Sequence, residues 1–422
     1  MSNDNKILVY ADWDWLPQTY KIGDLYSSML RGKEVFSFEY DKNWLKSGFA
    51  TNIDPDLSMY SGRQFLNDTK PNFGVFSDSS PDRWGRILMK RRESIIARKQ
   101  NRAIRNLYES DYLLGVYDEY RLGGIRFKTD GNSEYLNADS ELAIPPWTYL
   151  AKLEQAVKTI EEDTIPNDDE KMKWLKMLIA PGSSIGGARP KANVKDKNNN
   201  LWIAKFPSKE DDSDIGAWEI VAAEIAKKAG VNMCNFSHGQ FNSNKTTFLA
   251  KRFDRNETGK RIHFASTLTL LGYNDGTHAA DGAGYPEIAE FIMRFGCDVQ
   301  NDLEELYRRI CLSVVISNTD DHLRNHGFIL KPEGWKLSPA YDINPNPSGS
   351  GLSLNISETD NSLDLELLRS VNKSYRLSLK RANEIIDSVV DAASHWRKIA
   401  FKMKINSLSI DHYQNAFRLT EK

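Results

Sequence analysis

The spacing of apolar and polar positions divides the chain into three stretches. The run KILVYA near the start predicts a strand, and EVFSFEY at 34–40 another; polar, turn-rich segments such as NIDPD (52–56) lie between such runs. From Asp82 the period changes. DRWGRILMKRRESIIARKQNRAIR has apolar residues near helical spacing and no internal proline, which predicts a helix through Arg105. LLGVYDEYRLGGIRFK (113–128) reads as a hairpin or a pair of strands, and IPPWTYLAKLEQAVKTIEE (144–162) as a helix entered through prolines. In the middle third, the glycine-rich APGSSIGGARPKANV (180–194) leads into a hairpin whose second strand is LWIAKF. WEIVAAEIAKKAG (218–230) predicts a helix closed by glycine, and strands resume at FSHGQF and TTFLAKRFDR (236–255). The final third is mostly helical, with 3–4 spacing in EIAEFIMRFG, DLEELYRRICLSVVISN and LDLELLRSVN. The exception is 318–345, a polar loop followed by two short strands, GFIL and WKLSP.

Composition narrows the possibilities. In 422 residues, 56 Lys and Arg stand against 58 Asp and Glu, which excludes a globally basic nucleic-acid binder and an acidic disordered chain. No stretch reaches the roughly 18 uncharged apolar residues of a membrane span, and MSNDNKILVY lacks the charged-then-apolar pattern of a signal peptide. Cys234, Cys297 and Cys311 are too few and too scattered for a disulfide framework or a zinc site; the last two read as core residues. A soluble, cytoplasmic protein without membrane partners is expected. The balance is not uniform, because residues 83–105 hold nine Lys and Arg and one Glu. Such a helix face can meet nucleic acid or an acidic partner, although most are simply solvated.

The densest chemistry lies in NTDDHLRN (318–325). Asp320 and Asn325 are five apart, and Asp342 follows in AYDINP after the predicted β-ribbon. Phosphoryl transfer needs a carboxylate to take or orient the nucleophile's proton and oxygen ligands to hold Mg²⁺ on the phosphates; one Asn and one Asp suffice, since Mg²⁺ keeps several waters. An Asp-x-x-x-x-Asn loop, a ribbon and a second Asp is the order used by protein kinases and related small-molecule kinases. Alone, the loop also reads as surface turns. Lys205 sits in an apolar strand, where an ammonium is costly unless it meets an anion; the plain alternative is an edge lysine facing water. In GSSIGGARPK (182–191), Gly186 and Gly187 let backbone N–H groups approach phosphates, and Ser183, Ser184 and Lys191 add hydroxyls and charge. The spacing is neither Walker A nor GxGxxG. Glu219 and Glu224 could pair with Lys205, but the plain reading is solvated helix positions. His322 and His326 are four apart without HExxH, so His322 reads as a residue near phosphates or a hydrogen-bonded structural histidine, and zinc is not expected.

Taken in order, FSDSSPDRWGRILMKRR, LLGVYDEYRLGGIRFK, SSIGGARPKA, IAKFPS, LAKRFDR, SNTDDHLRNHGFIL and LSPAYDINP resemble the HipA toxin-kinase family over nearly the whole chain. The resemblance implies an α+β, two-lobed kinase-like fold: a β-rich N-terminal domain (1–148), a nucleotide-binding small lobe (149–258) and a mainly helical C-terminal lobe (259–422). It implies an ATP- and Mg²⁺-dependent serine/threonine protein kinase. Asp320 would be catalytic, and Asn325 and Asp342 the metal ligands. Lys205, Gly186, Gly187, Lys251, Phe253 and His322 would contact nucleotide, with Lys251 to Phe253 as the adenine hinge. Ser184, or its neighbour Ser183, would be the autophosphorylated serine. The implied partners are a HipB-like helix-turn-helix antitoxin, operator DNA bound mainly through it, and a protein substrate such as an aminoacyl-tRNA synthetase. The sequence departs from the best-known members at ARPK, where Arg189 stands near the lysine, and in the glycine-rich insertion NDGTHAADGAG (274–284). The rival readings are a small-molecule kinase and a non-catalytic, antitoxin-bound co-repressor.

Overall fold

A computed structural model describes residues 5–67, 69–138, 145–162, 167–179 and 189–420. The fold is α+β and divides into two compact units. One comprises Met1–Glu210 and Lys251–Asn274, the other Asp211–Ala250 and Asp275–Lys422.

The first unit opens with an antiparallel sheet of β1 (Asn5–Ala11), β2 (Tyr20–Leu30), β3 (Lys33–Tyr40), β4 (Arg63–Phe65) and β5 (Ile125–Lys128), in the order β4-β3-β2-β1-β5. Its covered face buries Val9, Ile22, Leu25, Phe38 and Phe127. Helix α1 (Arg83–Lys99) starts where Asp82 accepts the Gly85 N–H at 2.9 Å, and it buries Trp84, Leu88 and Ile95. It stops six residues before Arg105. Arg102 turns back, its N–H reaching Ala97 O at 3.0 Å and its guanidinium Glu93 at 2.6 Å. Several cations of this segment are matched rather than left as an open basic patch. Arg86 grips Glu109 with two bonds of 2.6 and 2.7 Å. Arg98 and Lys99 meet Asp168 and Asp169, on the helix Asp168–Ile179.

The expected strands at 113–128 are only half present. Helix α2 (Glu109–Gly115) takes the first part, its start fixed by Tyr108 N–H to Asp111 Oδ2 at 2.9 Å, and β5 takes the end. The reason is a wholly buried Arg121, which donates to the carbonyls of Ser79, Leu113, Val116 and Leu136 at 2.9–3.1 Å. A guanidinium thus takes carbonyls that a β-ladder would have used. Three more arginines converge on the same turn. Arg252, fully enclosed, holds Asp254 by two bonds (2.8 and 2.6 Å) and donates to Tyr120 O and Asn193 Oδ1. Arg255 reaches Glu119 O and Arg121 O, and Arg261 reaches Asp118 O. Burial alone would push Asp254 up, but Arg252 and Arg255 hold it well below the usual carboxylate range. Helix α3 (Leu150–Glu162) follows the prolines as expected, and β6 (Lys191–Lys195) and β7 (Leu201–Lys205) form the expected hairpin.

In the second unit, α4 (Ile215–Lys228) is capped by Asp214, which also accepts from Thr246 N–H and Oγ1. Strands β8 (Phe236–Gly239) and β9 (Thr247–Lys251) pair antiparallel. Helices α5 (Tyr285–Phe295) and α6 (Val299–Val315) form the core, α6 burying Leu303, Leu306, Tyr307, Ile310, Cys311 and Val314 at helical spacing. The hairpin β10 (Gly327–Lys331) and β11 (Gly334–Leu337) follows. The C-terminal helices close over this core. Trp218 of α4 stacks on Tyr413 at 3.9 Å between ring centres, and Trp396 on Phe417 at 4.5 Å.

Candidate active site

The site is assembled where α6 ends. Ser317 adopts φ +52° and turns the chain out of the helix. Asn318 N–H then reaches back to Ser313 O at 2.8 Å, and the Ser317 hydroxyl donates to Ala416 O at 2.9 Å. Thr319 is held twice, its carbonyl accepting from Ser353 Oγ and its hydroxyl from Asn346 Nδ2, both at 2.7 Å. The next residue is therefore presented from a loop tied down on several sides.

Asp320 accepts through its backbone carbonyl from Asn325 Nδ2 at 3.0 Å, so the five-residue spacing closes into one turn. Burial pushes the Asp320 carboxyl above its ordinary range. His322 pulls the other way, and the negative charges of Asp342 and Asp321 add to the rise. Asp320, His322 and Asp342 are thus electrostatic neighbours. Asp342 sits at φ +58°, a left-handed conformation that Asp tolerates better than most residues. Asn325 is buried, and its Oδ1 accepts no hydrogen bond among the described residues. Flipping the amide would set that oxygen against the Asp320 carbonyl, so the assignment is fixed by chemistry. A buried amide oxygen left open in the turn that bears Asp320 suits a hard cation such as Mg²⁺. Among the described residues no group of three or more His, Cys, Asp or Glu is placed to hold a metal ion.

The sequence reading missed the support beneath this loop. Asp321 is fully enclosed. It accepts from Tyr285 Oη at 2.7 Å and Ser313 Oγ at 2.9 Å, and His326 Nε2 lies 2.9 Å away. Burial alone would raise its pKa; His326 and these hydrogen bonds outweigh that and hold it below the ordinary value. The Asp-Asp pair was the visible signal, since the second carboxylate of such a pair must point away from the first. His326 thus serves as the ion-pair partner of Asp321 beneath the loop.

Lys205, at the end of β7 in the first unit, is buried, which removes the reading of an edge lysine facing water. Its register partner across the hairpin is Lys191. Two ammonium groups facing each other are costly, and Lys191 is neutralised by the buried carboxylate of Asp82 at 2.7 Å. Lys191 is thus committed to an ion pair. Lys251 ends β9 and lines a polar cleft of about 600 Å³ with Asn200, Arg255 and Asn256. Phe253 packs on Phe264 at 5.7 Å. Arg189 donates to Phe206 O at 3.3 Å. Glu219 is buried rather than solvated, whereas Glu224 is half-exposed. Gly186, Gly187, Ser183 and Ser184 lie outside the described residues.

The two units define an α+β protein. Residues 183–396, just over half of the chain, match the HipA-like C-terminal domain family, and the chain belongs to that family. Two relatives are named "putative kinase". One, from Haemophilus influenzae, is 29% identical over 205 residues, covering 43% of this chain and 59% of the relative. The other, Y4mE of Sinorhizobium fredii, is 20% identical over 230 residues, covering 51% and 53%. The matched stretches thus span little more than half the length of these curated relatives. In fold, the chain is similar to a structure of the Shewanella oneidensis toxin–antitoxin system HipA, HipB and operator DNA. That likeness has a TM-score of 0.67 and 16% identity, over 98% of this chain and 95% of the other. No described helix is long and apolar enough to cross a membrane.

Proposed function

We propose that this chain is an ATP- and Mg²⁺-dependent kinase that phosphorylates serine or threonine of a protein, as a HipA-like toxin. The observation that carries the reading is the loop of the second unit, where Asp320, Asn325 and Asp342 are neighbours and Asn325 keeps an open, buried oxygen. The Asp320 carboxylate accepts the proton of the attacking hydroxyl and orients its oxygen toward the γ-phosphorus. Asn325 and Asp342 hold the metal, which when bound neutralises phosphate charge. Lys205 neutralises phosphate charge, His322 lies beside the phosphates, Lys251 and Phe253 border the adenine, and Gly186 and Gly187 cover the phosphates. Asp321 orients Asp320 without touching substrate. Ser184 is the proposed autophosphorylation site. A helix-turn-helix antitoxin, with operator DNA bound mainly through it, is the proposed partner, an aminoacyl-tRNA synthetase the kind of substrate, and the cytoplasm the compartment; the family and the architecture shared with the Shewanella HipA support this reading.

The test is incubation of the protein and its Asp320→Asn variant with labelled ATP, Mg²⁺ and cell lysate, followed by phosphosite mapping. Label on proteins with wild type and none with the variant, at equal melting temperature, is expected. Full labelling by the variant refutes the assignment. ATP turnover stimulated by a metabolite, without labelled protein, would identify a small-molecule kinase instead.

A further inference from the structure

Asn344, two residues beyond Asp342, has the same signature as Asn325. Its Nδ2 donates to Asp342 Oδ1 at 3.2 Å, while its Oδ1 is buried without a hydrogen-bond donor among the described residues. A flipped amide would turn its oxygen onto a carboxylate, so the nitrogen faces Asp342 and the oxygen stays open. An unsatisfied buried acceptor is costly, and a cation beside Asp342 would remove that cost. The backbone that carries this side chain is also held in place. Asn344 N–H donates to Asn318 Oδ1 at 3.1 Å, Asn318 Nδ2 to Ser313 Oγ at 3.3 Å, and Ser313 Oγ to Asp321 Oδ2 at 2.9 Å. This relay fixes Asn344 relative to the loop that bears Asp320.

We infer that Asn344 supplies a further oxygen for the divalent cation that accompanies the nucleotide, beside Asn325 and Asp342. The inference rests on the kinase reading above. It is tested by Mn²⁺ electron paramagnetic resonance titrations of the full chain with ADP, for wild type, Asn344→Ala and Asn344→Asp, each checked for its melting temperature. Loss of a ligand should weaken Mn²⁺ at least about tenfold in the Ala variant, the scale seen when a metal's supporting groups are removed. The Asp variant, which restores a hard oxygen, should bind at least as well as wild type. An Ala variant that binds Mn²⁺ like wild type overturns the role of Asn344 and leaves the kinase reading standing. Weak binding by both variants, with unchanged melting, also overturns it, because the amide would then act only by holding Asp342. A wild type that takes up no Mn²⁺ in the presence of ADP overturns the kinase reading itself, and this inference with it.

Discussion

Replacing Tyr285 by Phe deletes one oxygen and little else. The ring stands edge-on to His326, 5.6 Å between centres, and that packing survives the change. What is lost is the 2.7 Å hydrogen bond to Asp321, a fully buried carboxylate. A hydrogen bond to a charged group contributes about 1.5–3 kcal/mol. Two partners remain, Ser313 at 2.9 Å and His326 at 2.9 Å, so the loss should fall near the middle of that range, about 2 kcal/mol. With a urea slope of about 2 kcal/mol per molar, the unfolding midpoint should fall by about 1 M at pH 7. The pH dependence provides an independent check. Asp321 has a folded-state pKa below its unfolded value, so its stabilisation is fully present above the unfolded value of about 3.9 and is lost as pH falls through the folded one. The Tyr285 bond is part of that stabilisation. The gap between wild type and variant should therefore be widest at neutral pH and close in acid. Equal midpoints at pH 7, or a gap that widens on acidification, would refute the reasoning.

Other expectations follow from the same structure. Lys191→Met strands the buried Asp82 carboxylate, costs about 3–5 kcal/mol by urea unfolding, and is partly rescued by adding Asp82→Asn. Arg98→Ala removes a solvent-exposed pair with Asp168 and should change stability by less than about 1 kcal/mol in the same assay. Gly216→Ala drives a methyl to 2.0 Å from the Thr246 carbonyl and should cost about 1–3 kcal/mol, read as a lowered melting temperature.

Local chemistry was legible in the sequence. The Asp320–Asn325 interval closes a single turn, so its spacing alone carried the geometry, and the 3–4 period of α6 announced its buried stripe. Long-range chemistry was not. LLGVYDEY looks like a strand because nothing nearby shows that Arg121 will take its carbonyls. The carboxylates that engage Arg98 and Lys99 lie about 70 positions away in the chain, so composition made the helix look open. Glu219 gave no sign of burial, since a glutamate on an alanine-rich helix has the same letters inside or out. Asn344, in a DINP stretch that reads as a turn, becomes a candidate ligand only once its open oxygen is seen.

The arginines that converge on residues 118–121 bear on how such a chain can be inherited. Arg252, Arg255 and Arg261 are separated from that turn by more than a hundred residues, yet their donors end on its carbonyls. A recombination event that exchanged residues 1–148 for those of a distant relative would leave buried guanidinium groups facing a foreign backbone. The two segments are therefore expected to change hands together. Hybrid genes joined near residue 148 should yield insoluble protein unless the 252–261 stretch travels with the N-terminal part.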